Sequence, residues 1–516
     1  MADFTLPVVR KAEGLHPTAI EWTDYSANPL RAVTRDGQTG WACVKVSPGC
    51  ANCYAEAINL RFGTKRPFTA KGMEDVRVVL DEQRIAAMLA AKPRGPFRAP
   101  DGRPKVFIGD MTDVCGAWVP DETLDRLFAV FALRPDIDWQ VLTKRPERMA
   151  EYLNGDRRPH AIAKAADTIE VELAIGALQE EIRDVPGFPG YRVSNMGTVF
   201  GPRSRLEPQA GEQGHARVTL YLDGQKRRVL VHRLVLSVFD RPPQPREQAC
   251  HKNGDPSCNA MPNLSWGSQS TNWSDRRRHG EHRSYSKLTP DGVAAVRAAL
   301  LDDTPAESIA VSAGVSATQI RNIARGDQWS TGSPIPWPIP GVWLGTSCED
   351  QRRADERIPH LLRCPAAVRF LSVEPMLGRL DLSTAEGWMW RHTDDGRRWP
   401  VAGWPDEGHL RRGGIDWVII GGESGRDARD CNLEHVMYLV RECRDANVPV
   451  FMKQTGVRAM VRCSRCNGMG MLDNDHECPD CDAQELVRWR TRDPKGGDPA
   501  EWPEHLRVRQ WPEVRR

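Results

Sequence analysis

At 516 residues the chain is long enough for two or three cores of ordinary size, and 71 Lys and Arg against 69 Asp and Glu leave a net charge of +2. That balance excludes a global polycation held on nucleic acid by bulk charge, so any such site must be a local patch. No apolar run approaches the ~20 residues of a bilayer-spanning helix and no leader pattern opens the chain, so a soluble, cytoplasmic protein without a membrane partner is expected.

Fourteen cysteines in that setting read as metal ligands or buried thiols rather than disulfides, and seven of them fall in closely spaced groups. The first group, Cys43, Cys50 and Cys53, lies on a Pro-Gly loop leading into a helix. Three thiolates can ligate three irons of a [4Fe-4S] cluster and leave the fourth iron open to a substrate or cofactor; zinc is the alternative. Apolar runs follow at Val76–Leu80, Val106–Met111 and Trp139–Lys144, and, after an interruption, at Val342–Ser347, Val368–Val373, Trp417–Gly421 and Val448–Met452. Helical periodicity between them at 122–133, 351–362 and 433–446 predicts an α/β fold built on a parallel, TIM-like βα-barrel, complete or partial. Such barrels place their chemistry just past the strands. The polar residues there are Asp110, Asp113, Lys144, Arg145, Glu374, Glu423 and Lys453, with Ser347, Cys348, Glu349, Ser424 and Gln454 beside them.

Residues 179–329 break this rhythm. They carry 20 Lys and Arg against 16 Asp and Glu, a net of +4 that leaves −2 for the rest of the chain. His251, Asn263 and Asn272 stand at spacings that suit a ββα-metal fold, in which a strand presents the histidine and a helix returns the last ligand. Such a site hydrolyses phosphodiesters with one divalent ion, Mg²⁺ here: the histidine activates water and the metal stabilises the leaving oxygen. Arg276, Arg277 and Arg278 suit phosphate contacts, or form a solvated face. A helix-turn-helix is predicted with helices over 306–313 and 316–325 and a turn at Gly314, placing Thr318, Gln319, Arg321 and Asn322 toward base edges of double-stranded DNA. Cys250 and Cys258 alone make a weak zinc pair. An intein would require a nucleophile at the first junction and His-Asn at the last; neither is present, so the chain is expected to stay whole. Near the C-terminus, Cys463, Cys466, Cys478 and Cys481 form C-x2-C-x11-C-x2-C, the closed tetrahedral set of a structural Zn²⁺ ribbon, with a second iron-sulfur cluster as the alternative.

The inserted segment resembles the HNH homing endonucleases of phages. Val185 to Val199 is similar to the NUMOD-type motif that precedes many of them, and Val231-His232-Arg233-Leu234-Val235 to the lead-in of the HNH core. The resemblance implies His251 as general base, Asn263 as the residue orienting loop and histidine, and Asn272 as metal ligand. Some members have an Asp ligand directly before the histidine, where this chain has Cys250. The remainder, on Cys43 to Glu56, Leu142 to Arg148, Phe370 to Pro375 and Gly421-Gly422-Glu423-Ser424-Gly425, resembles a phage three-cysteine-motif family of unknown function related to radical-SAM barrels. That resemblance implies a cluster on Cys43, Cys50 and Cys53, and Gly421-Gly422-Glu423 is similar to the element that binds the methionine amino group of S-adenosylmethionine.

The expected organisation is thus a barrel in two parts, 1–178 and 330–456. Between them lies an HNH insert, 179–329, made of a NUMOD-type motif (179–205), a nuclease core (226–280) and a helix-turn-helix (287–329). A zinc-ribbon-like region closes the chain at 457–516. Either both machines work, or the barrel is the main enzyme or a metal-binding scaffold and the insert a degenerate mobile element. The oligomeric state is not legible.

Overall fold

The structure is a computed structural model that describes residues 14–155, 157–211, 214–280, 296, 299, 304–324, 335–382, 390–392, 398–400, 414–467, 469, 478, 481 and 485–512. It divides into two compact units, Met1–Asp156 with Pro338–Arg516, and Arg157–Trp337. No helix among the described residues is long and apolar enough to cross a membrane.

The first unit is mixed α/β, built on one eight-stranded sheet whose strands follow chain order: His16–Pro17, Tyr25–Ala27, Lys105–Ile108, Asp138–Thr143, Val342–Ser347, Val368–Val373, Trp417–Gly421 and Val450–Gln454. The first pair is antiparallel and every later pair parallel. Strands with covered faces are expected to be apolar throughout; Val342–Ser347 and Trp417–Gly421 are buried at every position. On one face Trp22, Phe107, Trp343, Phe370, Trp417 and Phe451 form an aromatic core. Gly345 is required within it, because a Cβ there would lie 2.5 Å from the Phe370 ring. The other apolar run, Val76–Leu80, leaves this sheet and pairs antiparallel with Leu30–Thr34. Helices Asp121–Leu133, Gln351–Leu362 and Leu433–Asp445 lie where periodicity predicts them.

Among the described residues the sheet is a curled half-barrel, the partial form of the expected barrel and not a closed one. Its last strand spends the edge hydrogen bonds that closure would need on the C-terminal segment: Met452 N–H donates to Val508 O at 2.8 Å and Gln510 N–H to Val450 O at 2.8 Å. Trp511 then stacks on Trp417, with centroids 5.2 Å apart, and Trp417 Nε1 donates to Gln510 O at 2.8 Å. This covers an otherwise exposed edge. It also brings 457–516, expected as a separate region, into the first unit. Ala459–Arg462 pairs antiparallel with Leu486–Arg488 and parallel with Cys431–Asn432.

The second unit begins at Arg157 rather than at 179, because helix Arg158–Gly176 is fastened to helix Gln269–Arg278. Asp167 accepts from Arg278 Nε and Nη2 at 2.8 and 2.9 Å and meets His279 Nε2 at 2.7 Å. An antiparallel four-stranded sheet spans Ile182 to Leu206, and a three-stranded one spans Gln209 to Leu230. The hairpin joining Ala216–Leu222 to Gln225–Leu230 turns on Asp223 and Gly224, both at positive φ (50° and 74°), the two-residue turn that matches strand twist. One core unites these pieces: Val193, Val199, Val218, Leu220, Leu234, Val235 and Leu264. Helices Ala306–Ala313 and Ala317–Ala324, with Gly314 between them at φ 65°, pack on their own cluster of Val296, Ile309, Ala310 and Ile320.

Candidate functional site

Three places gather chemistry. In the first unit a pocket of about 500 Å³ is lined by Cys43, Cys50 and Cys53 together with Asp110, Asp113, Lys144, Arg145, Glu374, Glu423 and Lys453. The parallel strands deliver these residues to one rim because each loop leaves the sheet at the same end.

The cysteine loop is held from beneath by a buried ion pair. Glu349, fully buried at the end of Val342–Ser347, accepts from Gly49 N–H at 3.1 Å and from the Ser47 hydroxyl, while its other oxygen accepts from Arg357 at 2.9 Å. A Cβ at Gly49 would lie 2.7 Å from the Glu349 carboxylate, so a larger residue there would push that side chain off the loop. Burial pulls the Glu349 carboxyl upward, but Lys144, Arg357 and Ser47 overcome it and hold it below the usual carboxylate range. On the other side Arg145 bridges Asp113 at 2.7 Å and Val44 O at 2.6 Å, stacking 4.8 Å over Trp118. Burial, then the Asp113 carboxylate, pushes the Cys43 thiol up to about 11, and burial also raises Cys53. Without a metal these two thiols are therefore protonated at neutral pH.

Cys43, Cys50 and Cys53 sit on one loop and line this pocket together. Glu423 does not fit the amino-group role that Gly421-Gly422-Glu423 implies. Its two oxygens take Arg429 Nη2, Arg429 Nε at 3.0 Å, Arg429 N–H at 2.8 Å and Asn52 Nδ2 at 3.2 Å. It acts instead as an anchor, because Arg429 Nη1 also donates to Pro48 O of the cysteine loop at 2.9 Å. Glu374 is paired with Lys453, and Asp110 with Asn28.

The second place is the hairpin Gln248–His251 paired with Leu264–Gly267, followed by helix Gln269–Arg278. His251 ends the first strand. Burial lowers its pKa, with the Asn259 hydrogen bond opposing and His215 adding to the effect, so the ring is neutral at pH 7 with a lone pair available. Asn263 is fully buried; its Oδ1 accepts from Asn253 N–H at 3.1 Å and its Nδ2 donates to Cys258 O at 2.7 Å, fastening the loop after His251. Asn272 donates to Gln248 Oε1 at 3.0 Å. By strand alternation Gln248 and Cys250 share a face and His251 takes the other. Cys250 is buried, and burial raises its thiol.

The basic tract is divided by the fold. Arg276 is exposed, whereas Arg278 is held by Asp167 and is not available for the phosphate contact expected of it without breaking that pair. Thr318 is exposed, and Arg321 pairs with Glu307 across the two helices. The side chains of Arg277, Gln319 and Asn322 lie outside the described residues. Sequence reasoning does not single out His215 or His232, which meet His251 with ring centroids 5.4 and 5.0 Å away. Nor does it find the buttressing role of Glu349 and Arg429. A lone histidine in an apolar helix start carries no local signal, and a buttress is defined by its distant partner.

The third place is the tip of the Ala459–Arg462 and Leu486–Arg488 hairpin, where Cys463, Cys466, Cys478 and Cys481 are buried together. Their sulfurs lie 3.8 Å apart for Cys463 and Cys478 and 3.6 Å for Cys466 and Cys481. A tetrahedron with Zn–S bonds of 2.3 Å has edges of about 3.8 Å, so the donors already stand at metal-ligating spacing.

Residues 17–185 and 298–480 match the model of a family described as protein of unknown function (DUF5131), and the chain belongs to that family. The match stops before His215 and resumes after Asn272, bracketing the second place. DNA endonuclease I-HmuI of Bacillus phage SP01 is 32% identical over 103 residues, 19% of this chain. The chain spans 59% of that relative's length. A solved structure described as DNA binding and cleavage by the HNH homing endonuclease I-HmuI aligns at 22% identity with a TM-score of 0.19, covering 29% of this chain and 91% of that one.

Proposed function

We propose that this family member carries, as an insertion, an HNH-type endonuclease that hydrolyses double-stranded DNA. The observation behind the reading is neutral His251 at a strand end, its loop fastened by buried Asn263, with Asn272 on the helix that returns along the hairpin. The partial likeness to a phage DNA endonuclease, over 103 residues, supports it. His251 takes the proton of the attacking water, and Asn263 keeps the ring's loop in place. A bound divalent ion, Mg²⁺ by preference for oxygen ligands, would supply positive charge at the leaving oxygen, with Asn272 among its holders. Cys250, where an aspartate would offer a hard oxygen, weakens that set. Arg276 and the helix pair at 306–324 supply phosphate and base contacts, and the NUMOD-type reading of 179–205 belongs to this proposal because that segment shares the nuclease core's hydrophobic cluster. The full chain is expected to nick supercoiled plasmid in Mg²⁺ and His251→Ala to slow nicking about a hundredfold or more; undiminished cleavage by the variant would sink the assignment.

We read the four C-terminal cysteines as a structural zinc site, on their burial and spacing. For the first unit a second reading is favoured by the convergence of three thiols with strand-end charges in one pocket. Cys43, Cys50 and Cys53 would hold a [4Fe-4S] cluster, which would supply an open iron for a substrate. Anaerobically prepared protein is expected to contain about four irons per chain and to lose them, with the visible absorption, in Cys43→Ala. Zinc alone, unchanged by that substitution, would defeat the cluster.

A further inference from the structure

We propose that His215, His232 and His251 form a second, all-nitrogen metal site, suited to a borderline divalent ion of the zinc and cobalt class, whose occupancy withdraws His251 from proton abstraction.

The three residues come from separate elements: His215 from the residue before strand Ala216–Leu222, His232 from the first turn of helix Val231–Phe239, and His251 from the end of its hairpin strand. One ring nitrogen of each lies within 4.8 Å of those of the other two. A zinc ion bound at 2.0–2.1 Å by three imidazoles would hold them about 3.4 Å apart, so modest side-chain rotation closes the set. Edge-on packing of aromatic rings accounts for the 4.9 Å contact of His215 with His232. It does not account for their nitrogens. His215 Nδ1 and His232 Nδ1 are buried with no hydrogen-bond partner among the described residues, although His232 is only 4% exposed. Buried polar atoms are ordinarily satisfied, and a group left over points to an absent ligand.

The donor set selects the ion. Three neutral imidazoles without a carboxylate suit Zn²⁺, Co²⁺ or Ni²⁺ and not Mg²⁺, which demands oxygen. Three protein ligands leave a fourth position for water. A neutral imidazole has one lone pair, and a nitrogen that ligates a metal cannot also take a proton. This part of the inference rests on the nuclease reading; the metal site itself does not.

The full-length chain is titrated with Co²⁺ and its bound ions counted, the Cys463 site being marked by thiolate charge-transfer absorption. Expected are one further Co²⁺ per chain lacking that absorption and exchangeable, hyperfine-shifted imidazole N–H resonances in the proton spectrum. His215→Gln and His232→Gln should each remove that ion and those resonances. In the unmodified chain the resonances alone decide the matter, so a variant that misfolds does not confuse it. Their absence, or cobalt bound through thiolate alone, overturns the site. In parallel, Zn²⁺ should inhibit Mg²⁺-supported nicking, and His215→Gln should raise the inhibitory concentration at least about tenfold. Inhibition at the same concentration in both proteins overturns the withdrawal of His251. If no nicking occurs in Mg²⁺ at all, the nuclease reading fails while the cobalt count still judges the site.

Discussion

Stripping the ion from Cys463, Cys466, Cys478 and Cys481 is expected to open the C-terminal hairpin. The strands there are short, Ala459–Arg462 and Leu486–Arg488, with three cross-strand pairs between them. Among the described residues, only partly buried Val487 joins the four cysteines in their cluster. The described apolar contacts are few, so the thiolates carry most of the ordering argued for the tip. Four thiolates at tetrahedral spacing can do so, because apparent zinc affinities in small thiolate sites amount to about 10–16 kcal/mol at neutral pH. Treatment with a strong chelator should release the ion that these thiols hold and render four additional thiols reactive to a disulfide reagent. The amide of Val461, paired with Val487 in the ladder, should lose protection from hydrogen exchange at the same time. Cys463→Ser should reproduce the effect without chelator. Four thiols already reactive in untreated protein would show that no ion is held there.

Glu349→Ala is expected to destabilise the first unit by about 3–5 kcal/mol, the range for removing one partner of a buried ion pair. The Arg357 side chain is 7% exposed, and without Glu349 the acceptor it keeps among the described residues is Ser347 O, at 2.7 Å. The same substitution frees Ser47 and the Gly49 amide, so the loop carrying Cys50 and Cys53 loses its floor. Glu349→Gln keeps an acceptor for Gly49 but removes the charge facing Arg357, and should fall between wild type and alanine. Because the two units need not unfold together, the appropriate measurement is native-state hydrogen exchange at Val342–Ser347 and Val368–Val373, the strands nearest the pair. Exchange free energies within about 1 kcal/mol of wild type in both variants would show that the buried pair is dispensable to the first unit. An accompanying loss of metal at Cys43, Cys50 and Cys53 would tie the buttress to the function of that loop.

Much of the molecule was written locally. Each apolar run of the main sheet became a strand because side chains buried on both faces must be apolar without alternation, a property of consecutive residues. The paired Cys-x2-Cys spacing of the C-terminal site is likewise set by a few neighbouring bonds, and His251, Asn263 and Asn272 sit close enough in sequence for one hairpin and one helix to carry them.

Tertiary structure decided the rest. Whether a row of parallel strands closes depends on what occupies its last edge, and that is the segment around Val508 to Trp511, remote from any strand signal. Arg157–Gly176 belongs with the second unit because Asp167 meets Arg278 and His279, an attachment that composition does not register. Arg278 itself, indistinguishable in sequence from exposed Arg276, is withdrawn by that pair. His215 and His232 join His251 only because a strand, a helix and a hairpin converge, and Glu349 becomes a floor for the cysteine loop only when residues some three hundred apart in sequence meet. Periodicity and short motifs are short-range properties and can be read along a chain; edges, buttresses and ligand sets assembled from distant elements are created by folding and exist nowhere in the sequence taken one segment at a time.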